Sequence, residues 1–220
     1  MSTEVDLHIH TKYSPDSLLE PKAVIKLALK RGLSAIAITD HNTLKGSLAT
    51  IREAPSVKNL MIIAGIEVKT DVGDVIGLYV EDEIKAGDFH MVVEEIRHQD
   101  GLVVLPHPYN RHEGAVEELA SYVDVVEALN GRSSRVKNAK ALRLANDLDI
   151  PAIACSDAHL SCEVGNVKTK FYSDIGTAQE LRKLILNGDR VFAGKEFPLI
   201  VHGFSFATGI IKRVIDIYRG

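Results

Sequence analysis

The sequence is poor in cysteine, in net charge and in long apolar runs, and each shortage argues against a class of protein. Its two cysteines, Cys155 and Cys162, form no Cys-x-x-Cys pair, which argues against a thiolate-rich structural zinc site. A net charge of −4 over 220 residues argues against a protein that coats nucleic acid. No apolar run reaches the roughly 18 residues that span a membrane. We therefore expect a cytoplasmic protein with reduced thiols.

What the sequence does contain is an alternation of apolar strands and amphipathic helices. The nearly all-apolar runs 33–39 and 60–68 are typical of strands buried on both faces, and 23–31 has a helical apolar face. No linker or low-complexity tract divides the chain. The pattern predicts a parallel α/β sheet in a single domain, 1–220, whose last strand and helix in 190–220 close it. In this length, a distorted (β/α)7 barrel is favoured over a doubly wound sheet.

Two histidines two residues apart lie on the first predicted strand. Apolar and polar residues alternate in this strand, and side chains two apart point to the same face. His8 and His10 are therefore about 7 Å apart along the backbone, close enough to bind one ion. Asp16 follows a turn at Pro15 and adds a carboxylate nearby.

Further candidate metal ligands stand at the ends of later predicted strands. The C-terminal ends of the strands form the active-site face of α/β barrels, so these residues would meet in one cavity. Mixed imidazole and carboxylate ligands suit hydrolytic clusters, in which paired ions hold the attacking and leaving oxygens. The candidates at these strand ends are His41, Glu67, His107, Asp157 and His159.

Taken in order, these motifs resemble the polymerase and histidinol phosphatase (PHP) superfamily. The matching runs span residues 5–159: His8-Ile9-His10-Thr11 with Tyr13-Ser14 and Asp16, then Thr39-Asp40-His41-Asn42, Gly65-Ile66-Glu67-Val68, His107-Pro108 and Ser156-Asp157-Ala158-His159. The resemblance implies a distorted, TIM-like seven-stranded barrel that holds up to three divalent ions (Mn, Zn or Fe).

The resemblance also implies which residues surround each ion. It assigns the first ion to His8, His10, Glu67 and Asp157. It lets Glu67 bridge to a second ion that is held with His107. It assigns the third ion to Asp16, His41 and His159.

The second ion's site departs from the family's pattern. Many members supply a further histidine between the Glu and His-Pro motifs, and the aligned position here is Asp74. An aspartate can still coordinate, so Asp74 is the predicted replacement. His90, on the predicted helix 88–99, and a depleted second site are the alternatives.

Several neighbours of these motifs are candidates for catalysis and substrate binding. Asp40, His41 and His159 are the predicted catalytic residues, beside a metal-bound hydroxide as nucleophile. Asp40 could orient a ligand, carry a proton or cap the next helix. Arginine grips phosphate through two hydrogen bonds, and the predicted substrate-binding residues are Arg111, Arg132 and Asn130. His112 has no partner motif and is expected to be solvated or to cap a helix.

The predicted function is hydrolysis of a small phosphate ester, preferably a nucleotide or nucleoside phosphate, by a stand-alone enzyme. The open alternatives are a 3′–5′ exonuclease on short oligonucleotides, a histidinol-phosphatase-like monoesterase, a C–N hydrolase of the amidohydrolase type and a non-catalytic metal-binding barrel. Glu67 stands where an amidohydrolase would have a metal-bridging lysine, which argues against C–N hydrolysis. The expected partner is a small phosphorylated substrate or a short oligonucleotide, and not a membrane. The sequence leaves the oligomeric state open.

Overall fold

Nine strands and six helices alternate along the part of the chain that the structure describes, a computed structural model covering residues 2–54, 59–110, 112 and 116–197. The strands are β1 (Thr3–Ile9), β2 (Ala35–Ile38), β3 (Met61–Lys69), β4 (Asp74–Leu78), β5 (Leu102–Leu105), β6 (Val125–Asn130), β7 (Ala152–Cys155), β8 (Lys168–Phe171) and β9 (Arg190–Ala193). The helices are α1 (Pro21–Lys30), α2 (Lys45–Glu53), α3 (Phe89–His98), α4 (Val116–Ala120), α5 (Arg135–Asp147) and α6 (Ala178–Asn187).

The strands form one sheet in the order β7-β6-β5-β4-β3-β2-β1-β8-β9. Neighbours among β1, β2 and β3 are parallel, as are neighbours among β5, β6 and β7. The prediction of a wholly parallel sheet is wrong at β4, which runs antiparallel to β3 and β5. The short turn between β3 and β4 leaves no length for the crossover that parallel strands require.

The sheet curls until its first and seventh strands approach each other. An isolated parallel bridge joins Ile9 to Ala158, just beyond β7, and the His10 N–H donates to the Ala158 carbonyl at 2.8 Å. Thr169 of β8 bonds the backbone of Ala154 in β7. The predicted distorted seven-stranded barrel is therefore confirmed as a nearly closed barrel. β8 and β9 extend the sheet beyond β1, antiparallel to their neighbours.

Local sequence signals explain where the helices begin. Pro21 opens α1, where its missing N–H costs nothing. The side chains of Asp88 and Ser134 accept hydrogen bonds at the starts of α3 and α5. Thr177 and Glu180 form a reciprocal capping box on α6.

None of the helices among the described residues is long and apolar enough to cross a membrane. The helix predicted within 210–218 lies outside the described residues.

The pairing of β1 with β2 is irregular around the first histidine, His8. The register between β1 and β2 shifts between Asp6 and Ile9. Leu7 packs in the same buried cluster as Ala35 of β2, whereas Ile9 packs in a different cluster with α1. Strict alternation along β1, as the sequence predicts, is therefore interrupted at the point where the strand enters the site.

Candidate metal centre

Five histidines and three carboxylates converge at the C-terminal end of the barrel strands, as the sequence predicts. Among the described residues, three groups have ligand atoms within 4.8 Å of one another. The rings stack closely, with centroids of His10 and His159 4.2 Å apart. The three groups are His8, His10 and Asp157; His8, Glu67 and His107; and His10, His41 and His159.

Glu67, at the end of β3, lies at the centre of the cluster. Its Oε2 lies 2.9 Å from His41 Nδ1, 3.3 Å from His10 Nε2 and 3.6 Å from His8 Nε2. Its Oε1 lies 3.0 Å from His107 Nε2. One carboxylate therefore contacts four imidazoles, two from β1 and its end and one each from the segments after β2 and β5, which suits a residue that bridges two cations.

Asp157 completes the group around the first two histidines. Its Oδ1 lies 3.4 Å from His8 Nε2 and 3.3 Å from His10 Nε2. Asp157 and His107 both have a positive backbone φ, of 54° and 30°, which residues other than glycine seldom adopt. Such backbone geometry concentrates at functional sites, where the surrounding fold imposes it.

Asp16 joins the outer group of ligands. Its Oδ2 lies 3.1 Å from His159 Nε2 and 3.6 Å from His41 Nε2. The loop that carries it is fixed by Ser17, whose hydroxyl donates to the carbonyls of His10 and His159. The predicted third group of Asp16, His41 and His159 is thus brought together.

The charges of the cluster stabilise one another. Burial raises the pKa of Glu67, but His41 and His8 outweigh it and hold that pKa well below its usual range. Burial likewise opposes ionisation of Asp157, and His8 and His10 hold its pKa well below normal. Both carboxylates are therefore ionised at neutral pH and available to a cation.

The pKa shifts of the histidines predict how the chelated protein responds to pH. Burial lowers the pKa of His8, His41 and His107, but the neighbouring carboxylates outweigh it and raise all three. Their stabilisation is present below the unfolded pKa of about 6.5 and is lost as the pH rises through the folded pKa values. Burial and the neighbouring histidines lower the pKa of His10 to about 3. His10 is therefore neutral in both the folded and the unfolded state above a pH of about 6.5.

We therefore expect the free energy of unfolding of the chelator-treated protein to fall as the pH is raised through the window that begins at about 6.5. Urea unfolding at several pH values measures it. In saturating Mn²⁺ the trend should reverse, because cations bind deprotonated imidazoles. A chelated protein that grows more stable across this window would contradict the assignment.

The donor set fits divalent cations. Imidazole and carboxylate together suit zinc, manganese and iron. Asp16 Oδ1 is buried and accepts no hydrogen bond from the described residues. A buried acceptor in this state costs about 1–3 kcal/mol, and a bound cation would supply its missing partner.

Glu127, on β6, is a buried member of the site that the sequence analysis missed. Its Oε1 lies 3.1 Å from His8 Nδ1, and its Oε2 accepts from the His107 backbone N–H at 2.8 Å. It also accepts from Asn130 Nδ2 at 2.9 Å. Glu127 looks like an ordinary residue in an apolar strand, and only its alternation with Val126 and Ala128 hints that it faces the barrel interior.

Asn130 and Asp40 are fully buried, and their side chains contact other residues of the site. Asn130 Nδ2 also donates to Asp157 Oδ2 at 3.2 Å, and its role in substrate binding stays a prediction. Asp40 accepts from the backbone and hydroxyl of Thr11 and from Ser14 Oγ. Ser14 Oγ in turn lies 3.0 Å from His10 Nδ1. The orienting role weighed for Asp40 fits this network, and the capping role does not, because Leu44 is the N-cap of α2.

The network around Asp40 depends on a glycine in α2. A Cβ at Gly46 would overlap Asp40 Oδ2 and Thr11 Oγ1. Alanine normally stabilises a helix interior by about 1 kcal/mol over glycine, but overpacking costs about 1–3 kcal/mol. We expect the overpacking cost to outweigh the gain, so that Gly46→Ala lowers the free energy of unfolding by up to about 2 kcal/mol, measured in urea. Gly87→Ala, where a Cβ meets nothing within 4 Å, is the control, and a stabilised Gly46→Ala protein would refute the packing argument.

The predicted substrate arginines have different outcomes. Arg132 lies 3.2 Å from both carboxylate oxygens of the buried Glu163. Glu163 also accepts from the backbone N–H groups of His159 and Leu160. Arg132 is therefore tied through Glu163 to the backbone of the His159 loop, and its contact with substrate stays a prediction. Arg111 lies outside the described residues.

Asp74, the replacement ligand predicted for the second ion, stays a prediction. Asp74 is buried at the start of β4 but belongs to none of the three ligand groups found among the described residues. The alternative, His90, is exposed on α3, with its ring 4.6 Å from that of Tyr122. His112, expected to be solvated or capping, is half-buried, with its ring 6.2 Å from that of His107. Burial and His107 lower the pKa of His112 to about 4.

The barrel and its histidine–carboxylate cluster define an α/β-barrel protein with a candidate multinuclear metal centre. Comparison with known families identifies it further: the PHP domain matches residues 6–197. The chain belongs to the PHP domain family.

Known relatives agree with this assignment. The uncharacterized protein MJ0417 of Methanocaldococcus jannaschii is 36% identical over 180 residues, which cover 76% of this chain and 70% of the relative. A two-domain protein from Bacteroides vulgatus, containing a predicted PHP-like metal-dependent phosphoesterase, is 18% identical with a TM-score of 0.75. The match covers 89% of this chain but only 65% of the Bacteroides vulgatus protein. The lesion-specific endonuclease PfuEndoQ of Pyrococcus furiosus is 18% identical with a TM-score of 0.67, over 88% of this chain and 59% of its own. At these identities the two structures establish the fold alone.

Proposed function

We propose that the protein is a metal-dependent phosphoesterase that hydrolyses a nucleotide or nucleoside phosphate. The observation that carries the proposal is the contact of one buried carboxylate, Glu67, with four histidines from three segments of the chain. Divalent cations in such a site activate water and neutralise the charge that develops on phosphate oxygens. Membership of the PHP family supports the same chemistry.

The residues of the chain then have distinct roles. Glu67 would be shared between the first two cations, with His8, His10 and Asp157 holding one and His107 the other. Asp16, His41 and His159 would hold the third. His41 is the more exposed of the two histidines, with 16% of its side chain accessible against 6% for His159. It could exchange a proton with the leaving oxygen only while no cation occupies its lone pair.

A nucleotide substrate is supported by an exposed aromatic ring beside the cluster. Tyr13 lies three residues before Asp16 and is 39% exposed, with Lys12 Nζ 5.7 Å from its ring centroid. An exposed aromatic ring can stack on any base, and a nearby ammonium favours phosphate. PfuEndoQ is an endonuclease, and its barrel is similar to this one, which agrees with a nucleotide ester.

Stacking predicts a selective effect of Tyr13→Ala. Loss of a base stack costs about 1–3 kcal/mol, so KM for a nucleotide ester should rise by roughly 5- to 150-fold. Hydrolysis of glycerol phosphate, which has no base, should be unchanged. Steady-state kinetics on both esters measure the difference. Equal effects on the two esters would remove Tyr13 from the substrate site.

The proposed function is tested by assaying chelator-treated protein on a monoester and a diester of p-nitrophenol, with and without Mn²⁺. We expect hydrolysis only with the cation, and the preferred ester separates a monoesterase from an exonuclease-like enzyme. Failure to cleave either ester, or any nucleotide, with Mn²⁺, Zn²⁺ or Fe²⁺ would favour the non-catalytic barrel.

A further inference from the structure

A buried carboxylate on β1 holds the segment that follows β7. Asp6 is completely buried and is not one of the candidate metal ligands. Its Oδ1 accepts from the Ser156 backbone N–H at 3.0 Å, and its Oδ2 accepts from the Ser156 hydroxyl at 2.5 Å. Oδ2 also accepts from the Gly165 backbone N–H at 2.7 Å. One side chain therefore holds both ends of the segment 156–165, which carries two of the candidate ligands.

Asp157, the first ligand in this segment, has a strained backbone that needs such anchoring. Its φ of 54° lies in the left-handed region, and this conformation persists in a residue other than glycine only where its surroundings impose it. On one side Asp6 fixes Ser156. On the other side, the His10 N–H donates to the Ala158 carbonyl at 2.8 Å. Both chain neighbours of Asp157 are thus tied to the segment that begins with β1.

The direction of the Asp157 side chain depends on this backbone. Its Oδ1 lies 3.4 Å from His8 Nε2 and 3.3 Å from His10 Nε2, and its Oδ2 accepts from Asn130 Nδ2 at 3.2 Å. A change of φ rotates the side chain about the N–Cα bond, so a relaxed backbone would move Oδ1 away from the two imidazoles. Ligand geometry of this kind is maintained by the hydrogen bonds of supporting residues.

Ser156 is also confined by the end of β6. A Cβ at Gly131 would lie 2.6 Å from the Ser156 carbonyl oxygen, so the two backbones approach as closely as glycine allows. The Gly131 N–H donates to the Cys155 carbonyl at 2.9 Å. Ser156 therefore contacts both β1, through Asp6, and the end of β6, which leaves its peptide little freedom to shift.

We propose that Asp6 is a positioning residue for the metal ligand Asp157, acting through Ser156 to hold the strained backbone from which that carboxylate reaches the first cation. The proposal rests on the metal centre of the proposed function. It makes neither Asp6 nor Ser156 a metal ligand. Because a preformed ligand needs no ordering when the cation binds, loss of the contact lowers affinity at the first site.

Graded substitutions test the contact. In Asp6→Asn, one accepting oxygen becomes an amide NH₂, which meets a backbone N–H whichever oxygen it replaces. Ser156→Ala removes the hydroxyl contact and keeps the backbone one. Thr169→Val is the matched control. The Thr169 hydroxyl is buried, and it accepts from the Ala154 N–H at 2.7 Å and donates to the Ala154 carbonyl at 3.0 Å. This bond lies at the same closure of the barrel, but it does not hold a neighbour of a ligand.

Calorimetric titration of chelator-treated protein with Mn²⁺ gives the number of ions and the affinity of each. We expect Asp6→Asn to weaken one ion by about 10- to 100-fold, as loss of outer contacts to ligands does. Ser156→Ala should weaken the same ion by a smaller factor. Thr169→Val should bind every ion normally, although it unfolds at a lower urea concentration than the unsubstituted protein.

Cadmium NMR identifies the affected ion independently of affinity and activity. In protein loaded with ¹¹³Cd²⁺, Asp157→Asn marks the resonance of the first site. Asp6→Asn and Ser156→Ala should shift that resonance and leave the resonances of other sites in place. A merely structural role would not produce this selective shift, and Thr169→Val should show none.

The outcomes separate this inference from the proposed function. If both variants bind the first ion normally, or weaken all ions equally, Asp6 is only structural and the inference is wrong. If Asp6→Asn does not fold, Ser156→Ala decides, and a normal affinity with an unshifted resonance overturns the inference. If the unsubstituted protein binds cations but cleaves no ester, the proposed function fails while the titrations still decide the role of Asp6. If it binds no cation, both proposals fail.

Discussion

Replacing Glu67 by glutamine is expected to reduce metal-dependent phosphate release by about 10²- to 10³-fold, a loss typical of removing a key electrostatic group from an active site. Glutamine keeps the size of the side chain but loses the charge that faces four histidines. The loss should persist at high Mn²⁺ concentration, because a neutral amide is a poor bridge between two cations. Initial rates over a range of Mn²⁺ concentrations measure it.

The control for this substitution is Glu94→Gln, on the exposed surface of α3. It makes the same chemical change far from the cluster and should leave the rate unaltered. If Glu67→Gln retained near-normal rates once Mn²⁺ was in excess, the carboxylate would not be the bridge that the geometry indicates.

Glu127→Gln is expected to have the second largest effect, and of a different kind. Glu127 touches His8 Nδ1 and the backbone of His107, so its loss should weaken cation binding by about 10- to 100-fold. The ligands themselves remain. Excess Mn²⁺ should therefore restore much of the rate, in contrast to Glu67→Gln.

Calorimetric Mn²⁺ titrations and rates at low and high Mn²⁺ separate these two behaviours. Glu117→Gln, in an exposed turn of α4, provides a matched charge removal. Undiminished Mn²⁺ affinity in Glu127→Gln would show that the carboxylate is structural and does not tune His8.

The sequence predicted the barrel and the ligand set because both depend on local patterns. Apolar runs and helix starts located every described element, and parallel strands place their C-terminal ends together. That is why His8, Glu67 and Asp157 could be grouped despite lying on β1, on β3 and just after β7. The order of motifs then matched the PHP family.

What the sequence could not provide were contacts set by three-dimensional packing. The short turn that makes β4 antiparallel lies in an ordinary polar loop, and the irregularity in β1 has no marker in the chain. Glu127 carries no motif, because its role comes from its contact with His8 on another strand. Asn130 looked exposed at a strand end but is enclosed between Glu127 and Asp157.

The most direct test of the central claim is to measure Mn²⁺ binding and phosphate release in the same samples of chelator-treated protein, as Mn²⁺ is added. The account predicts that hydrolysis of a nucleotide ester is absent without the cation and rises with occupancy of the cluster, and that Glu67→Gln breaks this relation. Hydrolysis that proceeds in chelator, or full Mn²⁺ occupancy with no ester cleaved, would contradict it.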